Sequence, residues 1–87
     1  MPATDAPILS RMLRPLTAQL REDLLRAVAD LHADPADEDR FHELADRNAE
    51  GAITPDERRE LDAIVSANTL LSVLRAEARA QIRQRAA

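Results

Sequence analysis

The sequence predicts an all-α fold: a small helical bundle or hairpin of three to four helices with one long C-terminal helix. Ala, Leu, Arg and Glu, all strong helix formers, dominate the composition. The chain has one Gly, one aromatic residue and few β-branched residues, so no strand is expected. With 87 residues, of which 22 are apolar and larger than Ala, it can form one small domain with a thin core. A single helical domain is therefore predicted over residues 8–87.

The first element is expected to be short. Residues 1–7 hold two prolines among small and polar residues, which predicts a disordered lead-in. Apolar residues at helical spacing then predict a helix over 8–14. Pro15 should end it, because a proline disfavours the helical conformation of the residue before it. So short a helix is marginal in water and must pack on the rest of the chain or on a partner.

Two further helices are predicted over 18–32 and 35–49. Thr17 is the expected N-cap of the first of these, whose apolar residues form one stripe. Asp34 and Pro35 have the residue types preferred at the N-cap and at the first helical position, so they should start the second.

A tight turn is predicted between the third and fourth helices. Gly51, the only glycine, is expected to adopt the left-handed conformation that ends many helices. Thr54, Pro55 and Glu57 then match a capping box with proline at the first helical position. The two helices should therefore turn back on each other.

The last helix, predicted over 55–84, is long for this chain. It contains no Gly and no Pro after its start, and 66–69 is its alternative break point. At 1.5 Å per residue it extends about 45 Å, which exceeds the diameter of a compact domain of this size. We therefore expect self-association, or a larger protein partner, to cover apolar residues of this helix and of the N-terminal arm. The predicted interface residues are Ile8, Leu9, Met12, Leu13, Ile64, Leu71, Leu74, Ala78 and Ile82.

The turn also matches the spacing of an EF-hand calcium loop over 46–57. The oxygen ligands would be Asp46, Asn48, Glu50, the carbonyl of Ala52, and Glu57. A proline inside the loop and the lack of a second loop count against calcium, and a capped helical hairpin uses the same residues without any metal. The alternatives differ in structure, since a calcium loop ends the preceding helix near Asp46, whereas a hairpin keeps it helical to about Ala49.

Charge is distributed unevenly. Residues 34–62 carry four arginines against eleven carboxylates, giving −7, whereas residues 63–87 carry four arginines against one, giving +3. The basic end is the alternative basis for nucleic-acid binding, but cations are favoured at a helix C-terminus in any case and Trp and Tyr are absent. Nucleic acid is therefore not the expected partner. The arginines concerned are Arg75, Arg79, Arg83 and Arg85.

Other features exclude broad classes of function. No Ser, His and Asp grouping has catalytic spacing and no Gly-rich phosphate loop is present, so we do not expect an enzyme or a resident cofactor. No run of 18 apolar residues and no signal-like start occurs, which predicts a cytoplasmic location without a membrane partner. All 12 basic residues are Arg, which indicates a GC-rich bacterial genome.

The run LADRNAEGAITPDERRELDAIVSANTLLSVLRAEAR, at residues 44–79, resembles a family of small bacterial helical proteins of unassigned function. The likeness extends upstream through Leu13 to Leu16 and Asp34 to Pro35, and departs at Glu77, where the family favours Lys. The resemblance implies a neighbourhood of HNH-type nuclease genes and an accessory, antitoxin-like or regulatory role, with no catalytic residues. The sequence as a whole favours a small helical protein that acts as a homodimer or as the partner of a larger protein.

Overall fold

The computed structural model of the protein describes residues 5–86, which form four helices and no strand. The helices are α1 (Asp5–Gln19), α2 (Glu22–Ala29), α3 (Pro35–Ala49) and α4 (Pro55–Ala86). The predicted all-α class with one long C-terminal helix is confirmed. The described chain divides into two compact units, which we call the hairpin unit (33–68) and the three-helix unit (5–32 with 69–86).

In the hairpin unit, α3 has the predicted bounds because its start is specified locally. The side chain of Asp34 accepts a hydrogen bond from the backbone N–H of Ala36 at 2.8 Å. Pro35 takes the first helical position, where its missing N–H costs nothing. The two buried hydrophobic residues of this unit are Leu44 on α3 and Leu61 on α4.

The end of α3 is equally well defined. Gly51 has a φ of 72°, in the left-handed region that side chains disfavour. Its N–H donates to the carbonyl of Asn48 at 3.2 Å, and the N–H of Ala52 donates to the carbonyl of Arg47 at 2.9 Å. These two bonds form the Schellman motif, which satisfies carbonyls that the end of a helix leaves unpaired.

The start of α4 confirms the predicted capping box. The N–H of Glu57 donates to the Thr54 hydroxyl at 3.1 Å, and the N–H of Thr54 donates to the Glu57 carboxylate at 3.0 Å. From Pro55 onward α4 is continuous, and it has no break at 66–69. It also extends two residues beyond the predicted end at position 84.

In the three-helix unit, α1 differs from the prediction. The expectation that Pro15 ends the first helix is wrong, since α1 continues to Gln19. A proline removes its own N–H bond, but other contacts hold the helix on both sides of it. Thr17 donates to the carbonyl of Arg14 at 3.1 Å, and the side chains of Ser10 and Arg14 bond to the Glu77 carboxylate on α4.

The predicted lead-in over 1–7 is wrong for residues 5–7, which belong to α1. Residues 1–4 lie outside the described part of the chain. The prediction of a helix over 18–32 with Thr17 as its N-cap is also wrong. Thr17 is fully buried inside α1, so its hydroxyl is not available as a cap, and α2 is shorter than predicted at Glu22–Ala29.

The core of the three-helix unit is small and rich in Ala. Leu25, Ala29 and Ala78 form its buried cluster. Three partly buried residues pack against this cluster: Leu20, Val28 and Ile82. Within residues 5–86 no helix combines the length and the apolar character needed to cross a lipid bilayer.

We predict that Gly51→Ala lowers the free energy of unfolding by about 1 kcal/mol, because an L-residue in the left-handed region is strained. Apart from the two chain neighbours, no residue has an atom within 4 Å of the added Cβ, so a clash with the surrounding structure does not contribute. Gly51→Asn is the matched control and should cost less, since Asn tolerates this conformation. Urea unfolding followed by circular dichroism measures both, and equal losses for Ala and Asn would contradict the prediction.

Candidate functional site

One face of α1 carries large apolar side chains that the described chain leaves in solvent. Ile8, Met12 and Leu16 follow each other at intervals of four, so they form a stripe along one side of the helix. Their exposed fractions are 44%, 71% and 53%. The neighbouring Leu9 and Leu13 are half-buried. We call Ile8, Met12 and Leu16 the α1 stripe.

The opposite side of α1 is attached to α4 by a buried carboxylate. Glu77 is only 9% exposed. It accepts a hydrogen bond from the hydroxyl of Ser10 and bonds from Nε and Nη2 of Arg14 at 3.3 and 3.4 Å. The Ser10 bond, followed by the Arg14 bonds, lowers the pKa of Glu77 because both favour the ionised form. These contacts fix which face of α1 remains exposed.

The predicted interface residues on α4 are in different environments. Ala78 is fully buried in the core of the three-helix unit, and Ile82 packs against that core. Leu71 and Leu74 are half-buried, as is Ile64 in the hairpin unit. Three exposed large apolar side chains thus follow one another on α1. The others are Leu24 on α2, Leu31 after it, and Val65 and Leu70 on α4.

Two arginines of α4 bind carbonyl groups at the end of α2. Nη2 of Arg79 donates to the carbonyl of Ala29, the last residue of α2, at 3.2 Å. Nη1 of Arg75 donates to the carbonyl of Leu31 at 2.9 Å. The last carbonyls of a helix lack intrahelical partners and carry partial negative charge, so guanidinium groups are suitable caps.

A third arginine does the same for α1. Nη2 of Arg85 donates to the carbonyl of Ala18 at 3.1 Å, next to the end of α1. Arg83 is exposed and has no polar partner among the described residues. Three of the four arginines considered for nucleic-acid binding therefore have a role in holding the chain's own helices.

The first part of the calcium-loop pattern is helical. Asp46 and Asn48 lie in α3, which continues to Ala49, as the hairpin alternative requires. Oδ1 of Asn48 accepts a hydrogen bond from the guanidinium of Arg58. Asn48 thus links α3 to α4 by a side-chain hydrogen bond.

The second part of the pattern belongs to the helix cap. The carboxylate of Glu57 accepts from the N–H of Thr54 and from the guanidinium of Arg47. The Thr54 N–H contributes most to lowering the pKa of Glu57. Glu50 and Ala52 are exposed in the turn. Among residues 5–86 no group of three or more His, Cys, Asp or Glu side chains is arranged to hold a metal ion.

A second polar clamp joins α3 to α4 within the hairpin unit. Arg40 binds Glu60 in a bidentate pair, with Nε and Nη2 at 2.9 and 3.0 Å from the two carboxylate oxygens. Nη1 of Arg40 donates to Glu43 at 3.0 Å. The Glu60 pair, followed by Glu43, raises the pKa of Arg40, while the Arg40 bond lowers the pKa of Glu60. This geometry adds directional specificity to the attraction between the charges.

A shallow groove of about 280 Å³ lies on the hairpin unit, and we call it the hairpin groove. Ligand pockets usually measure about 300–1,000 Å³, so this groove lies just below the lower end of that range. The carboxylates of Asp37 and Glu38 have no ion pair with a described residue. The residues that line the groove are Ala33, Asp37, Glu38, Phe41, His42, Ile64 and Asn68.

Comparisons with protein-family models, with curated proteins and with solved structures give no match to this chain. The α1 stripe, the hairpin groove and the contacts around them are the features of the described chain that bear on its function.

Several functional features were not found from the sequence. Leu16 extends the α1 stripe, and its spacing from Ile8 and Met12 was a signal, but the helix was expected to end at Pro15. Asp37 and Glu38 have the residue types of a helix first turn, which gave no sign of a groove. The arginine caps join residues that are far apart in sequence, so no local pattern indicates them.

We predict that Arg79→Gln lowers the free energy of unfolding by about 1 kcal/mol, since the carbonyl of Ala29 loses a charged donor. In a chain of this size, that loss lowers the melting temperature by about 4–8 °C. Arg83→Gln is the matched control and should change stability by less than about 0.5 kcal/mol. Thermal unfolding followed by circular dichroism tests both variants. Equal melting temperatures for Arg79→Gln and wild type would show that the cap contributes nothing.

We also predict a pH dependence at Glu77. Because the folded pKa of Glu77 is lowered, its ionised form stabilises the fold at neutral pH, and this contribution disappears as pH falls through the folded pKa. Glu77→Gln should therefore be less stable than wild type at pH 7, by about 1–2 kcal/mol. The difference should shrink in acid. Urea unfolding of both proteins from pH 7 to pH 3 measures it, and a constant difference would contradict the expected linkage.

Proposed function

We propose that this chain is a small helical interaction protein that binds a protein partner through the α1 stripe. The partner is a second copy of the chain or a larger protein. The observation that carries the proposal is the exposure of Ile8, Met12 and Leu16 in a row on one helix.

The exposure of three large apolar residues in a row favours binding over a folding role. Isolated exposed apolar residues are ordinary on protein surfaces, whereas contiguous patches mark interaction sites. Burying apolar surface contributes about 25 cal/mol per Å², so covering this stripe favours association. The buried cluster of the three-helix unit and the hydrophobic residues packed against it do not include these side chains.

The attachment of α1 also supports the proposal. Ser10 and Arg14 bind Glu77 on the side of the helix away from the stripe. A helix that is ordered before binding loses less conformational entropy when its partner docks. Anchors at intervals of about one helical turn are typical of a helix that lies in a groove of its partner.

The finer expectations from the sequence stay predictions. They are a bacterial origin, a cytoplasmic location and an accessory role beside a nuclease. The α1 stripe supports partner binding in general and does not depend on any of them.

The test is site-specific photo-crosslinking. We predict that a photoreactive amino acid in place of Met12 gives a discrete protein adduct in the native cell. When the partner is a second copy of the chain, the purified protein gives an adduct as well. The same amino acid in place of the exposed Asp30 is the control and should give none. Absence of any adduct from position 12 in cells and in purified protein would overturn the proposal.

A second substitution separates binding from folding. With the photoreactive group at position 12, Leu16→Glu should abolish the adduct, because a charge in the stripe must be desolvated on docking. Ala27→Glu places the same charge at an exposed position of α2, outside α1, and should leave the adduct intact. Circular dichroism should show both variants folded.

A further inference from the structure

We propose that the α1 stripe of one copy docks into the hairpin groove of a second copy, with Arg11 facing the carboxylates of Asp37 and Glu38. The inference rests on the proposed function and names its partner. Both surfaces belong to the same chain, and each lies wholly within one of the two units.

Both surfaces are partly apolar. The hairpin groove offers Ala33, Phe41 and Ile64 as apolar lining. Its volume of about 280 Å³ is too small for a large ligand but admits side chains that project from a helix. Apolar anchors one turn apart on α1 provide such side chains.

The two surfaces also carry opposite charges. Arg11 lies one turn from Ile8, beside the α1 stripe, and is exposed without a polar partner among the described residues. The hairpin groove carries Asp37 and Glu38, which likewise form no ion pair with a described residue. Matched charges on two apolar surfaces steer association and fix its register.

The two units have net charges of opposite sign. The hairpin unit carries four arginines against eleven carboxylates, whereas the three-helix unit carries eight arginines against five. Their net charges are therefore −7 and +3. Attraction between the hairpin unit of one copy and the three-helix unit of another follows from Coulomb's law, and it weakens as salt is added.

The experiment is a charge swap measured by sedimentation velocity over a series of protein concentrations. We expect wild type to self-associate, and Arg11→Glu and Glu38→Arg each to weaken self-association by about tenfold or more, because each places like charges opposite each other. The double variant should recover, since the pair is restored with reversed sign.

Mixing the two single variants provides the sharpest readout. The carboxylate introduced at position 11 of one variant then faces the guanidinium introduced at position 38 of the other. The native Arg11 and Glu38 that the two variants retain also face each other, so the mixture should associate where neither protein does alone. Asp39→Arg is the matched control, because Asp39 is in the same turn of α3 but does not line the hairpin groove. It should associate like wild type.

Two outcomes would overturn the inference. If wild type associates but Arg11→Glu and Glu38→Arg leave association unchanged, the contact lies elsewhere. If wild type remains monomeric throughout the series, a second copy is not the occupant. In that case a photo-adduct from position 12 to another protein would still support the proposed function, so the two failures are distinguishable.

Discussion

The long helix α4 holds the other three helices through polar side chains, and the rest of the structure depends on these contacts. Glu77 anchors α1, Arg79 binds the last carbonyl of α2, and Glu60 forms a bidentate pair with Arg40 of α3. The apolar clusters of both units are small, so burial alone specifies the helix positions weakly. Charge-assisted hydrogen bonds are directional, and they therefore determine which face of each helix turns toward α4.

The basic residues of α4 have a structural role. Arg75, Arg79 and Arg85 each donate to a carbonyl at or near the C-terminus of α1 or α2. These carbonyls lack intrahelical partners, and α1 has no basic residue in its own last turn. Arginines from α4 provide the positive charge that the helix dipole favours there. These arginines near the C-terminus of α4 therefore cap the ends of α1 and α2.

How much the sequence predicts depends on how local the signal is. The bounds of α3 and the turn into α4 were predicted because Asp34, Gly51 and Thr54 specify them within a few residues. The bounds of α1 and α2 were not, because α1 continues through Pro15 and is held by Glu77, which is more than sixty residues away in sequence and leaves no local signal. The candidate site shows the same contrast. Ile8 and Met12 were predicted as interface residues from their spacing on one helix, whereas the hairpin groove was not predicted, because it forms only when α3 and α4 pack together.

The way in which α1 is attached also explains why its apolar side chains remain exposed. In a larger domain an amphipathic helix is held by its apolar face, and binding a partner through that face would compete with folding. Here the side of α1 opposite the stripe carries Ser10, Arg14 and Thr17, of which Thr17 is buried, and these are held by hydrogen bonds to Glu77 and to the helix itself. These bonds hold α1 through polar groups while Ile8, Met12 and Leu16 stay exposed, so the partner binding that we propose would not require the Glu77 contacts to break.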